Sequence, residues 1–400
     1  MHVLFLAEDY TPLGQAQGGV LVSVARQVEG LAGSGDRVTV VSPRRIFPPL
    51  GRYRQTGVPL VPPGTAGEGA AAPPAAVRVI RPRILHLPLL WPLTEPLQIL
   101  VAGARALRGP ARGADLLHAH RSFPMGIVAV LLGRISRRPS VVTAYGSDVN
   151  ADTRSPNLVF RALARAGLGA MRLIAVSEAL AARAITLGVD PGRVRFVPSG
   201  VDLGRFSPAD RAAARRELGL PADRFIFLSM NHFFTVKGHA ILIDAMADLT
   251  RRRPGQAYLA LTGGGPEFSR TVEHAGALGI TDDVRFAGLR PYDELPVWVN
   301  AADALVLPSL SEGMPLTVLE GFACGKPLVG SRVGGVPEVV PDERYGLLVP
   351  PGDRGALAAA LAAAMDRSWD AAALRARAQM FAWPAVIQQI RAVYAELVPG

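Results

Sequence analysis

One stretch constrains this chain more than any other: residues 304–340, ALVLPSLSEGMPLTVLEGFACGKPLVGSRVGGVPEVV. It opens on ALVL, an apolar run short enough to be a buried parallel strand. Residues 308–313 then form a loop at that strand's C-terminal end, where open α/β sheets bind their ligands. Pro315 suits the first position of a helix, because the N–H it lacks would be unpaired there anyway. The helix is expected to run through Thr317, Val318, Leu319, Glu320 and Phe322, with Gly325 supplying a left-handed cap. This arrangement aims the amides of Gly313, Met314 and Leu316 at the cleft. A helix start of that kind favours an anion such as a phosphate.

Glu312 lies in the loop and Glu320 about one turn into the helix. One carboxylate can face a reacting centre while the other accepts hydrogen bonds from a sugar's vicinal hydroxyls. Singly, each reads equally well as an ordinary loop or surface acid. As a pair within PSLSEGMPLTVLEGFACGKPLV, separated by seven residues, they resemble the paired-glutamate motif of glycosyltransferase family 4. The downstream GGVPEVV and GLLVPPGD extend the resemblance, which runs from residue 1 to residue 355. It implies the GT-B fold, an α/β architecture of two Rossmann-like, doubly wound domains facing across a cleft. It also implies retaining transfer from a nucleotide-diphosphate sugar, which is a co-substrate, so no cofactor is expected.

A length of 400 residues suggests two or three domains. With 49% hydrophobic residues, 42 Gly and 34 Pro, the chain suits a loop-rich α/β protein and not a disordered one. The lone Cys324 excludes an internal disulfide framework, suits a reducing compartment and reads as a core thiol. The net charge of +10 invites a nucleic-acid partner, but the arginines are scattered, without a basic run or an aromatic-interleaved RNA signature. Anionic substrates or an anionic membrane surface account for it better. Of 43 basic residues only two are lysines, Lys237 and Lys326, so a lysine here marks its position. The segment MHVLFLA reads as a strand and not a secretory signal, and no stretch offers the ~18 uncharged apolar residues of a spanning helix. The expected location is cytoplasmic, with any membrane contact peripheral to the inner face.

In the first half, strands are expected at residues 1–7, 38–41, 77–81, 115–120, 173–176 and 194–197, and residues 140–148 read as a further strand with its C-terminal loop. After the first, a loop over 8–17 leads to Gly18 and Gly19, which open an amphipathic helix. Glycines at a strand-to-helix turn let backbone approach a phosphate, and by resemblance this loop faces the donor diphosphate. Residues 44–76, rich in Pro, Gly and Ala, read as an irregular excursion. Residues 83–108 combine leucines, Trp91 and prolines with flanking arginines. They fit a loop and helix packed on the core, or an acceptor-side surface touching a lipid interface.

His118 and His120 end the DLLHAH strand on one face by alternation. No third ligand follows in a recognisable pattern, so no metal is expected. The resemblance puts His120 near the acceptor or donor sugar. Tyr145 stands where the family commonly has His in a T-x-H-G segment, and its phenol titrates near 10, which argues against proton transfer at that position. Ser177 is a good N-cap for SEALAARAITLGV. PSGVD at 198–202 resembles the family's P-N-G-V-D signature and marks the crossing between domains.

In the second half, NHFFTVKG at 231–238 resembles the family's G-R-x-x-x-x-K-G, with Lys237 retained and His232 in place of Arg. Lys237 is placed to neutralise leaving diphosphate charge. His232 lacks arginine's permanent planar fork. Gly263–Gly265 with Pro266 match a G-x-G-P turn, and the VRFAGL segment ending at Leu289 belongs to the part that reads the base through its backbone.

The reading is a glycosyltransferase with an acceptor-side domain over 1–198, a donor domain over 199–382 and a last helix, 383–400, returning to the first domain. Glu312, Lys237, His120 and Tyr145 form the catalytic set. Gly18, Gly19, His232, Gly313, Met314, Leu316, Glu320 and Leu289 bind the donor. The acceptor is a glycan, a lipid-linked sugar or a small molecule, and without an Asp-x-Asp motif the reaction is expected to need no metal. A non-catalytic GT-B binding protein and a GT-B sugar-nucleotide epimerase are the competing readings. A NAD oxidoreductase fails on its glycine pattern.

Overall fold

A computed structural model describes residues 1–8, 10–13, 18–46, 76–87, 90–150 and 155–398. Its first sheet takes β1 (His2–Leu6), β2 (Arg37–Val41), β4 (Val77–Ile80), β6 (Leu116–His120), β7 (Ser140–Ala144), β8 (Arg172–Ala175) and β9 (Val194–Phe196). They are all parallel, in the order β4-β2-β1-β6-β7-β8-β9. Parallel strands are covered on both faces, which explains why β1, β6 and β7 are buried along their whole lengths and read as continuous apolar runs. The first three residues of the 44–76 excursion are not irregular. They form β3 (Arg44–Ile46), paired in parallel with β5 (Arg83–Leu85). Residues 47–75 of that excursion, and 9 and 14–17 of the loop after β1, lie outside the described residues.

The second sheet takes β10 (Phe225–Met230), β11 (Ala257–Thr262), β12 (Val284–Gly288), β13 (Ala304–Leu307), β14 (Leu328–Ser331) and β15 (Gly346–Val349). Its order is β12-β11-β10-β13-β14-β15, again all parallel. The crossing between the sheets is pinned by Val201, whose N–H donates to Phe381 O and whose carbonyl accepts from Trp383 N–H. Gly200 has no alternative there, because a Cβ would lie 2.5 Å from the Trp383 ring. The helix Trp383–Ala395 then packs on the first domain, with Tyr394 against His118 and Arg391 against the buried Asp36.

The helix Trp91–Arg108 settles the double reading of its segment face by face. Its inner side buries Glu95, which holds Arg45 of β3 at 3.0 Å and His86 at 2.7 Å. Trp91 packs inward on Phe123 and Phe160. Leu90, Leu93, Leu97 and Val101 remain on the outer side, each more than two-fifths exposed.

Candidate active site

The C-terminal ends of the two sheets face each other, and the candidate residues lie at the strand ends, in the loops that leave them or in the helices those loops open. From β13 the chain runs through Ser309, Glu312 and Gly313 into the helix Leu316–Ala323. Pro315 is the N-cap and not the first helical residue; its extended ψ of 99° turns the loop into the helix. Gly325 takes the left-handed conformation that closes the other end (φ +73°).

Lys237 ends a short 3₁₀ turn, Thr235–Lys237, after β10. The next residue, Gly238, lies so close to Pro308 that a Cβ would fall 2.2 Å from its carbonyl oxygen. That backbone contact brings the lysine to the β13 loop. Lys237 Nζ donates to Glu312 Oε1 at 2.7 Å, and the buried Ser309 hydroxyl donates to the same oxygen at 2.6 Å. The amides of Gly313, Met314 and Leu316 donate to no protein acceptor among the described residues. A cation and three open N–H groups therefore converge at one helix start, the arrangement that favours an anion.

Glu320 lies beneath this surface, only 4% exposed. Burial pushes its carboxyl up to about 7, against which a hydrogen bond from Tyr292 and the charge of Arg205 pull it down. The Tyr292 hydroxyl donates to Oε1 at 3.0 Å, and Arg205 stacks over the Tyr292 ring. Cys324, at the end of the same helix, is a buried thiol raised to about 12 by desolvation.

The opposite wall comes from the first sheet. Gly18 caps the helix Gly19–Gly33 with φ +94°, and a Cβ on it would meet His232 Nε2 at 2.9 Å. A Cβ on Gly19 would touch Leu316 at 3.4 Å. His232 holds Gly264 O through Nδ1 at 3.3 Å, and burial lowers its pKa below the ordinary value. Leu289 sits beside Gly264, half-exposed at the end of β12.

His118 and His120 do share a face, with ring centroids 4.5 Å apart. His118 is a structural residue, bonded to Tyr394 OH at 2.6 Å and Thr143 Oγ1 at 2.7 Å. His120 Nδ1 lies 2.8 Å from the Tyr145 hydroxyl, which also accepts from Gln27 at 3.1 Å. With the phenol accepting from Gln27, its own proton is available to Nδ1, the arrangement that puts the proton of a neutral His120 on Nε2. That nitrogen is buried without a partner among the described residues. Burial drives both imidazoles down and the phenol up, so all three stay neutral. Behind them Asp148 accepts from the amides of Tyr145 and Gly146 and fixes the turn.

The two walls touch through backbone. A Cβ on Gly313 would fall 1.8 Å from the Tyr145 carbonyl oxygen. The structure thus brings Lys237, Glu312, Gly313, Met314, Leu316, His232, Gly18 and Gly19 to one cleft. His120 and Tyr145 contact each other, and it is the Tyr145 carbonyl, not its phenol, that meets the Glu312 loop. Sequence reasoning did not single out Ser309, Gln27, Asp148 or Tyr292. Only Asp148 had a local signal, an acid two residues after a glycine at a strand exit.

Two family models match consecutive parts of the chain, Glycosyltransferase Family 4 over residues 17–205 and Glycosyl transferases group 1 over 210–380. The D-inositol 3-phosphate glycosyltransferase 2 of Catenulispora acidiphila is 41% identical over 206 residues, 49% of this chain and 48% of that protein. The D-inositol 3-phosphate glycosyltransferase of Actinosynnema mirum is 36% identical over 274 residues, 64% of this chain and 66% of that one. The chain spans about half the length of the first curated relatives it matches. Among solved structures, a sucrose-phosphate synthase from Thermosynechococcus elongatus superposes with a TM-score of 0.77 at 25% identity, covering 99% of both chains. Anabaena HepE, solved in complex with UDP-glucose, gives 0.74 at 22% identity, covering 99% of this chain and all of that one.

Proposed function

The chain belongs to glycosyltransferase family 4, and from that premise we propose that it moves a sugar from a nucleotide-diphosphate sugar to an acceptor hydroxyl, retaining configuration and needing no metal. The bond from the anomeric carbon to the β-phosphate oxygen breaks, the bond to the acceptor oxygen forms, and nucleoside diphosphate and one proton are released. The observation that carries this reading is the convergence of Lys237, Glu312 and the open amides of Gly313, Met314 and Leu316.

On this reading Lys237 and the amides neutralise the leaving diphosphate as its charge develops. Glu312 positions the donor sugar, Glu320 takes the ribose hydroxyls through its second oxygen, and the segment at Leu289 meets the base. His120 offers its Nε2–H to a sugar hydroxyl. Neighbouring structures hold UDP or UDP-glucose, and relatives are named for D-inositol 3-phosphate, so UDP-sugars and a phosphorylated cyclitol are the first donor and acceptor to try.

The test is a donor panel with the purified chain, with product stereochemistry read by NMR and the assay repeated in EDTA. A product with the donor's anomeric configuration, formed equally in EDTA, is expected. Interconversion of the nucleotide sugar without acceptor would make the protein an epimerase. Tight binding without transfer or hydrolysis would make it a binding protein.

Acceptor delivery completes the reading. No helix among the described residues is long and apolar enough to cross a membrane. The exposed stripe Leu90, Leu93, Leu97 and Val101, with Arg105 and Arg108 in the helix's last turn, suits shallow contact with an anionic bilayer. The enzyme is then cytoplasmic, at the inner face. Trp91, turned into the aromatic cluster, does not belong to that surface. Co-sedimentation with anionic vesicles at low salt, lost in Leu93→Asp/Leu97→Asp, is expected; no binding at any lipid composition would leave a soluble acceptor.

A further inference from the structure

The loop at 333–338 joins the two domains at a point that none of the roles above uses. Glu338 belongs to the second domain, on the short helix Val336–Val339, and Arg377 fixes that helix's position by donating to the carbonyls of Glu338 and Val339. Its carboxylate crosses to the first domain. Oε2 accepts from Glu178 N–H at 2.8 Å and Oε1 from Ala179 N–H at 2.9 Å. These are the first two amides of the helix Glu178–Thr186, and Ser177 Oγ takes the third, from Leu180, at 3.2 Å. The cap of a first-domain helix is thus completed by an acid from the other domain, where a negative charge is favoured.

The same loop is bonded to the reacting region. Gly335 N–H donates to Gly313 O at 2.9 Å, and Gly335 abuts Ser177 so closely that a Cβ would lie 2.8 Å from the serine's Cβ. Gly334 packs on the Glu312 carbonyl with no room for a side chain. Moving Glu338 off the helix start therefore pulls on Glu312 and Gly313 through two residues of backbone. Glu178 and Ala179 are exposed, so the bonds exchange with water at little desolvation cost.

We propose that Glu338 is a positioning residue: its bidentate cap on the Glu178–Thr186 helix holds the two domains closed and sets Glu312 and Gly313 against the first domain. It acts through closure and touches no reacting atom. Its kinetic consequence rests on the transferase reading above; its structural consequence does not.

The experiment compares wild type, Glu338→Ala and Glu338→Gln by small-angle scattering, with and without UDP, and by steady-state kinetics. Glu338→Ala is expected to enlarge the radius of gyration and to lower kcat by about tenfold, with UDP affinity and melting temperature nearly unchanged. Glu338→Gln keeps one acceptor oxygen at the same reach and is expected to recover part of both effects. An unchanged radius of gyration in Glu338→Ala overturns the proposal, whether activity is kept or falls together with thermal stability. If the wild type transfers no sugar, the scattering result still decides closure, so the two failures separate.

Discussion

The two walls of the cleft are the same βα unit used twice, yet their chemistry is opposite. The second-domain wall is charged: Lys237 and Glu312 form an ion pair at its surface, and below them burial raises the Glu320 carboxyl to about 7. The first-domain wall is polar but neutral. His118, His120 and Tyr145 are all buried, and desolvation holds each in its uncharged form. The difference follows from what each wall meets on the proposed reading. A leaving diphosphate gains charge during the reaction and needs a preorganised cation. Sugar hydroxyls carry no charge and need donors and acceptors with fixed directions, which a neutral His120 held by Tyr145 supplies.

Removing the cation should break this contrast most severely. Lys237→Ala is expected to lower kcat on the order of 10²–10³, as loss of a comparable oxyanion donor does, while the fold survives. Steady-state kinetics with a donor found by the panel is the measurement, with circular dichroism for the fold. Near-wild-type turnover would take Lys237 out of the chemistry.

How far each wall could be read in advance differs for the same physical reason. Lys237, Glu312 and Glu320 work as charges, and charge at fixed spacing leaves a mark in the sequence, sharpened by the scarcity of lysine. The strands were legible too, because parallel strands covered on both faces are unbroken apolar runs. The neutral wall depends on long-range partners. Gln27 reaches Tyr145 across 118 residues and Tyr394 reaches His118 across 276, and no local pattern records such pairs. Tyr292 against Glu320 and Glu338 on the Glu178–Thr186 helix were invisible for that reason. One local reading was displaced by packing, residues 44–46 pairing with β5. Trp91, turned inward to an aromatic cluster, follows the core-packed reading of its helix and not the lipid-surface one.

Glu320 sharpens the comparison from inside the charged wall. Its folded pKa, about 7, lies above the ordinary 4.5, so the folded state binds the proton more tightly than the unfolded state. Stability contributed by the protonated carboxyl is therefore lost as pH rises between those values. Glu320→Gln should melt above wild type at pH 8, by up to ~3 kcal/mol of unfolding free energy, and the gap should shrink toward pH 5. The same change should weaken nucleotide binding by about tenfold, because a charged acceptor for the ribose is gone. Urea denaturation at both pH values, with calorimetry of UDP binding, checks the two halves. A variant no more stable at pH 8 would mean that folding does not raise the Glu320 pKa.

A smaller effect is expected at the neutral wall. Tyr145→Phe leaves His120 Nδ1 and the Gln27 amide without their partner, at a cost of ~1–3 kcal/mol in stability. Turnover should fall by about tenfold, well short of the Lys237 effect, because an orientation is lost and not a charge. The pH profile of kcat should keep its shape, since a phenol raised above its ordinary pKa does not titrate in the assay range. A changed profile would return Tyr145 to proton transfer.

The finest distinction concerns His232, a titratable group of the charged wall whose Nε2 lies against Gly18 of the neutral one. Its Nδ1 is engaged by Gly264 O, so in the neutral ring Nε2 carries a lone pair toward Gly18 and the donor loop. A diphosphate oxygen can be met there only by an Nε2–H, which requires a second proton. Burial, and then the nearby Lys237, hold the free ring's pKa below its ordinary value, whereas a bound diphosphate raises it. Binding therefore takes up a proton between the two values. UDP affinity should fall by at most about tenfold per pH unit across that window and be flat on either side. The terminal phosphate of UDP also titrates, near pH ~6, but equally for any variant. His232→Arg carries a permanent charge, so its affinity curve should lack the histidine component and lie above wild type by several-fold at alkaline pH. Calorimetric titration of UDP across pH 5.5–9 on both proteins isolates that component as the difference between curves. Parallel curves would mean that Nε2 makes no phosphate contact.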